Sequence, residues 1–251
     1  MTILIWMTLA ALLCVFDPAC GNAEEPNGPA KLVTVVAFGD STTATRGKLK
    51  IYAECLKEDL PQRGLQVEII NAGIGGHSTQ DAIGRFEKDV TVKQPQIVII
   101  QFGINDSTIN VWKDPPDTKA PVSQEQYLAN LDKMIETLHK QHCHVILMTP
   151  NPMRWTPALV KLYGKLPYPP DNPDGLNVTL SPYAAAVRKL AKKRKVPLVD
   201  VYGAFQAYGK KPGQSVDQLL LDGMHPNDQG QRLVADLLIP EILKLGGKPR
   251  K

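Results

Sequence analysis

The chain of 251 residues has only 4 cysteines, and aromatic residues make up just 6% of it. Two of the cysteines, Cys14 and Cys20, lie near the start. That leaves Cys55 and Cys143 for a folded body, too few for a disulfide scaffold, and two buried free thiols are expected. No repeat or low-complexity tract is present, which argues against a collagen, a coiled coil or a disordered chain. The surplus of base is small, +4, and spread along the sequence. No basic patch is interleaved with aromatics, so a nucleic-acid partner is not expected. His139, His142 and His144 gather near a helix end, but no nearby carboxylate completes a convincing ligand set. Histidines there suit the helix dipole, and no metal is expected. What is present, 43% hydrophobic and 22% charged residues, is an ordinary globular composition with enough length to bury a sizeable core.

The first apolar run, Ile3 to Phe16, is too short for a stable membrane span. Small residues follow it to Gly21-Asn22-Ala23, the pattern of an export signal cut after Ala23, although no Lys or Arg precedes the run. Asp17-Pro18-Ala19 ahead of Cys20 makes a poor lipid-attachment box. Residues 1–23 therefore read as a signal peptide, residues 31–245 as one domain, and the protein as secreted or periplasmic.

Beyond the polar stretch Glu24–Ala30, strand-like and helix-like segments alternate. Apolar runs lie at Leu32–Phe38, Val67–Ile70, Ile97–Phe102, Val145–Met148 and Val196–Val201. Helical spacing spans Ile51–Leu60, Ser78–Val90, Ser123–Gln141, Ser181–Lys195 and Asn227–Leu245, with capping-box spacing at Ser123 and Gln126. Five apolar runs separated by helices predict a parallel sheet covered on both faces. Asn110–Pro121 and Pro150–Gly175 are long, polar, proline-rich insertions after the third and fourth strands. Long loops at the carboxyl ends of parallel strands are placed to wall a pocket.

Four short motifs carry chemistry. Phe38-Gly39-Asp40-Ser41 presents a hydroxyl and its own N–H straight after a buried strand, as a nucleophilic hydrolase requires. Asn71-Ala72-Gly73-Ile74-Gly75-Gly76-His77-Ser78 offers backbone N–H groups near a helix start. Gly103-Ile104-Asn105-Asp106 supplies an amide side chain at the third strand exit, where an Asx turn is the plainer reading. Asp222-Gly223-Met224-His225 places a carboxylate three residues before an imidazole, a spacing able to fix its tautomer. Each is weak alone.

Taken in order, Gly39-Asp40-Ser41, Gly76, Gly103-x-Asn105-Asp106 and Asp222-x-x-His225 resemble the four blocks of the SGNH (GDSL-type) hydrolase superfamily. In style they are similar to its rhamnogalacturonan acetylesterase-like carbohydrate esterases. The resemblance runs from about residue 31 to 245. It implies a flavodoxin-like α/β/α sandwich around a mainly parallel five-stranded sheet, and a serine esterase without metal or organic cofactor. Ser41 matches the nucleophile, His225 the general base and acid, and Asp222 the orienting carboxylate. The matching oxyanion donors are the Ser41 N–H, the Gly76 N–H and the Asn105 side chain. Gly76 is preferred to Gly73 and Gly75 because the block reads Asn-x-x-x-x-Gly from Asn71.

Asp40, His77, Arg154 and Trp155 are candidate substrate contacts, against loop packing or helix capping as the plainer reading. Lys192–Lys195 reads as a solvated helix end, and two sequons, at Asn105 and Asn177, decide nothing. Three functions fit: an acetyl or short-acyl esterase acting on carbohydrate, a lipolytic esterase or thioesterase, and a catalytically silent carbohydrate-binding protein. The polar insertions favour the first and the intact set of motifs disfavours the third.

Overall fold

A computed structural model describes residues 32–247. The leader, its cut after Ala23 and the cysteines at 14 and 20 lie outside those residues. Five strands alternate with helices: β1 (Val33–Gly39), α1 (Tyr52–Gln62), β2 (Val67–Gly73), α2 (Thr79–Asp89), β3 (Ile97–Gln101), α3 (Ile104–Ser107), α4 (Gln124–Lys140), β4 (His144–Met148), α5 (Pro157–Tyr163), α6 (Leu180–Arg194), β5 (Leu198–Val199), α7 (Val201–Gly209) and α8 (Asp228–Gly246).

The sheet has the order β2-β1-β3-β4-β5 with every neighbouring pair parallel. Its inner strands β1, β3 and β4 are buried on both faces because alternate residues feed different cores. Val33, Val35 and Ala37 of β1 pack with Leu56 of α1 and Leu238 of α8. Val36 and Phe38 point the other way, to Phe86 of α2, Leu131 of α4 and Val187 of α6. The result is the expected three-layer α/β/α sandwich. Cys55 and Cys143 are buried in these two opposite cores, so the sheet keeps their thiols apart.

Strand order places β1 at the point where the chain first turns one way, to β2, and then the other, to β3. Such a switch leaves a crevice beyond the strand ends. Gly39 is level with both Gly73 of β2 and Gln101 of β3, so the segments after all three strands leave the sheet at one height. The three anticipated oxyanion segments begin there.

Two expected elements need correction. The fifth strand is only Leu198–Val199, and the run from Val201 is helix α7. Asp200 ends the strand by capping that helix, its carboxylate accepting from the Gly203 N–H at 3.0 Å. At α4 only half of the capping box forms: Ser123 Oγ accepts from the Gln126 N–H, whereas the Gln126 amide donates to Asn130 at 2.8 Å.

The insertions pack on each other. Ile104, Val111, Met153, Leu159, Tyr163, Tyr168, Leu176 and Leu180 form a third, smaller core. Tyr168 Oη accepts from the Ile109 N–H at 2.6 Å, and Tyr163 Oη accepts from Trp112 Nε1 at 3.1 Å. Asn177, in one of the sequons, is 2% exposed and pairs with Met153 in both directions, accepting from its N–H at 2.8 Å and donating to its carbonyl at 2.9 Å.

Candidate active site

Ser41 follows β1 on a turn organised by its neighbour. Asp40 Oδ1 accepts from the Thr42 N–H and from the Thr42 hydroxyl, both at 2.8 Å. The turn presses so closely on the sheet that a Cβ at Gly39 would lie 2.1 Å from Thr43 Oγ1 and 2.9 Å from the Gln101 carbonyl. Only glycine fits there. Below the turn, Gln231 Nε2 donates to the Thr42 carbonyl at 3.2 Å, and Gln101 Nε2 donates to the Thr149 carbonyl at 3.1 Å. Asp40 therefore shapes the turn that carries Ser41. It is 1% exposed, burial first of all raises its pKa, and its carboxylate is engaged in shaping the turn.

His225 Nε2 lies 2.9 Å from Ser41 Oγ, although 184 residues separate the two in sequence. His225 Nδ1 lies 2.8 Å from Asp222 Oδ2 and 3.0 Å from Oδ1. Asp222 Oδ1 also accepts from the N–H groups of Met224 at 3.0 Å and His225 at 2.9 Å, so the loop fixes the carboxylate before the ring reaches it. Partial burial opposes its charge, but the hydrogen bonds from His225 and Met224 outweigh that and hold the carboxyl below its usual range. An alcohol, an imidazole and a carboxylate in this series can move a proton off the hydroxyl and stabilise the resulting cation.

Gly76 follows β2 with a φ of +78°, a conformation that costs a side-chain-bearing residue. Asn105 lies in the one-turn helix α3 rather than in an Asx turn, and its Nδ2 donates to the His77 carbonyl at 3.0 Å. Gly76, Asn105 and Met224 share the wall of a pocket of about 240 Å³. Gly75 is also close: a Cβ built there would lie 3.8 Å from Ser41 Cβ.

The other anticipated contacts are placed differently. His77 stands beside Gly76, with Nδ1 accepting from Arg85 Nε at 3.1 Å. Arg154 and Trp155 form their side-chain hydrogen bonds within their own insertion. Arg154 pairs with Asp174 and the Met153 carbonyl, and Trp155 Nε1 donates to the Asn172 carbonyl at 2.8 Å. His144 is buried in β4, His139 ends α4, and among the described residues no group of three His, Cys, Asp or Glu is arranged to hold a metal ion.

Two residues given no role by the sequence reading support the site. Arg85 of α2 donates to the carbonyls of Gly39 and Ala72, each at 2.8 Å, and its guanidinium sits 4.4 Å from the centre of the Phe38 ring. One side chain thereby ties the ends of β1 and β2 to His77. The only sequence signal is its i,i+4 spacing to Asp89. Asp106 is fully buried, and its Oδ1 accepts from the N–H and hydroxyl of Thr79 at the start of α2.

Burial raises the Asp106 pKa from 3.8 to about 6. Between about pH 4 and 6 the folded chain keeps a proton that the unfolded chain has released, so stability falls as pH rises through this window. Asp106→Asn retains an acceptor for Thr79 and removes that slope. Relative to wild type, the variant should gain on the order of 3 kcal/mol between pH 4 and pH 7, read by urea unfolding at both values.

Comparison with known proteins follows the same blocks. Residues 37–233 match the GDSL-like Lipase/Acylhydrolase family. The chain is 32% identical to the lipoprotein YqeF of Bacillus subtilis over 220 residues, covering 80% of this chain and 85% of the relative. It is 27% identical to an acetylxylan esterase of Geobacillus stearothermophilus, covering 89% of this chain and 88% of that one. Among solved structures, the acetyl xylan esterase AlAXEase superposes with a TM-score of 0.67 at 29% identity, covering 84% of this chain and all of that one. With the family profile spanning the strand exits described above, the chain belongs to the GDSL-like lipase/acylhydrolase family and is a hydrolase of ester bonds.

Proposed function

We propose that the protein is a serine esterase that removes acetyl and other short acyl groups from carbohydrate through an acyl-enzyme intermediate. The observation carrying this reading is the unbroken series Ser41 Oγ, His225 Nε2, His225 Nδ1 and Asp222 Oδ2, with links of 2.9 and 2.8 Å. Ser41 attacks the ester carbonyl while His225 takes its proton and Asp222 stabilises the imidazolium. The Ser41 N–H, the Gly76 N–H and the second amide hydrogen of Asn105 receive the developing oxyanion, with Asn105 steadied by its bond to the His77 carbonyl. Collapse expels the alcohol with a proton from His225, and water repeats the sequence on the acyl-enzyme.

Two observations support a short acyl group on a polar alcohol. The adjoining pocket, about 240 Å³, has walls about equally polar and apolar and offers hydroxyl and amide groups to a polar alcohol. The acetylxylan esterases among the relatives and structural neighbours point the same way. For location, we propose export with removal of residues 1–23, leaving one hydrolase domain over residues 31–245. The lipoprotein name of the Bacillus relative supports a setting outside the cytoplasm. A chain-length series of p-nitrophenyl esters, followed by acetylated oligosaccharides, tests the substrate. Activity should peak at acetate and extend to the sugar esters, whereas a maximum at long acyl chains would assign the protein to lipolysis.

A further inference from the structure

We propose that the pocket beside Gly76 and Asn105 is an acceptor-rich subsite that takes a neutral, hydroxyl-bearing sugar residue of the ester and turns away carboxylated ones. The inference rests on the carbohydrate-esterase reading and narrows it to uncharged glycans. Besides those two residues and Met224, the pocket is lined by Ser78, Asp81, Thr108, Asn110 and Tyr163, closed by Pro121.

The protons of its hydroxyls are largely committed elsewhere. Ser78 Oγ donates to Asp81 Oδ2 at 2.6 Å, and Thr108 Oγ1 donates to the Ile104 carbonyl at 2.8 Å. Thr108 Oγ1 is left to present its lone pairs to the pocket, and Ser78 Oγ, which also accepts from the Asp81 N–H at 3.4 Å, keeps one. Asp81 Oδ2 also accepts from the Ser78 N–H at 2.8 Å, while Oδ1 accepts from none of the described residues. One amide hydrogen of Asn110 is held by Asp117 Oδ2 at 3.0 Å. Tyr163 accepts from Trp112, which leaves its own proton as a donor.

Charge reinforces this bias. The hydrogen bond from the Ser78 hydroxyl, above all, keeps the Asp81 carboxyl below its ordinary pKa, so it is ionised at neutral pH. No Lys, Arg or His among the described residues lines the pocket. A sugar hydroxyl donates into such a wall, and Tyr163 and Met224 add apolar surface to it. A uronate carboxylate would instead meet a like charge at Asp81.

The test compares kcat/KM for an acetylated neutral xylo-oligosaccharide with that for an acetylated galacturonate oligosaccharide, using the wild-type protein, Asp81→Asn and Thr108→Val. Asp81→Asn keeps an oxygen for Ser78 to donate to, and thermal melting checks that each variant folds. The wild type should favour the neutral ester at least tenfold, and Asp81→Asn should narrow that ratio by about tenfold. Thr108→Val, which removes one acceptor with little change in volume, should lower kcat/KM for the neutral sugar ester more than for p-nitrophenyl acetate. Equal wild-type turnover of the two sugar esters, or an unchanged ratio in Asp81→Asn, overturns the inference and leaves the esterase reading standing. Turnover of p-nitrophenyl acetate with neither sugar ester hydrolysed overturns the inference and the carbohydrate reading together.

Discussion

Replacing Ser41 with alanine is expected to lower kcat for ester hydrolysis by roughly 10⁴ to 10⁶-fold while the melting temperature stays near that of the wild type. The fold has little stake in the hydroxyl, because the turn around it is held by Asp40, Gly39 and the glutamines beneath. His225→Ala is expected to cost a similar factor. Its ring makes side-chain contacts to Ser41 and Asp222, whereas the nearby loop is closed by its backbone, the Leu221 N–H donating to the His225 carbonyl at 2.8 Å. Groups that act as one unit do not add, so the double variant should be no slower than either single one. Steady-state kinetics with p-nitrophenyl acetate reads all three. A Ser41→Ala protein retaining a tenth of wild-type activity would put the nucleophile elsewhere.

Asp222→Asn is expected to lower kcat by about 10⁴-fold, for a reason the loop makes specific. The substituted side chain keeps an oxygen to accept from the N–H groups of Met224 and His225, so the loop should hold its shape. Its amide, however, would donate to His225 Nδ1, driving the imidazole proton onto Nε2 and pointing it at Ser41. The ring would then be in place but unable to receive the proton. A kcat within tenfold of wild type would mean that Asp222 does no more than shape the loop, a role its two backbone hydrogen bonds make a serious competitor.

How much of this was legible beforehand follows from where the information resides. The parallel sheet announced itself because strands buried on both faces carry uninterrupted apolar runs, and three of the four motifs stood at strand exits, the fourth just before the last helix. The site residues were legible for the same reason: a serine after β1 and an Asp-x-x-His before α8 need no knowledge of side-chain paths. Two kinds of feature were hidden. Helix α7 begins with Val201, which prolongs the apolar run of β5, and only the capping role of Asp200 separates the two. Arg154 and Trp155 were candidates because aromatic and basic residues in an insertion resemble a sugar-binding surface. The small third core claims that insertion first, and Tyr163 is the insertion's aromatic that reaches the pocket. Arg85 was illegible for another reason, since its partners are backbone carbonyls of β1 and β2 brought near only by folding.

The burial of Asn177 bears on how the protein is made. An oligosaccharide attached there during synthesis in a eukaryotic secretory host would have to occupy the space where the amide clasps Met153, and the insertion beneath Tyr168 and Leu176 would be left open. Bacterial production avoids that conflict. In yeast or insect cells, changing Thr179 to a residue that breaks the acceptor triplet removes it while keeping the clasp, at the cost of the 3.3 Å contact between the Thr179 and Tyr168 hydroxyls.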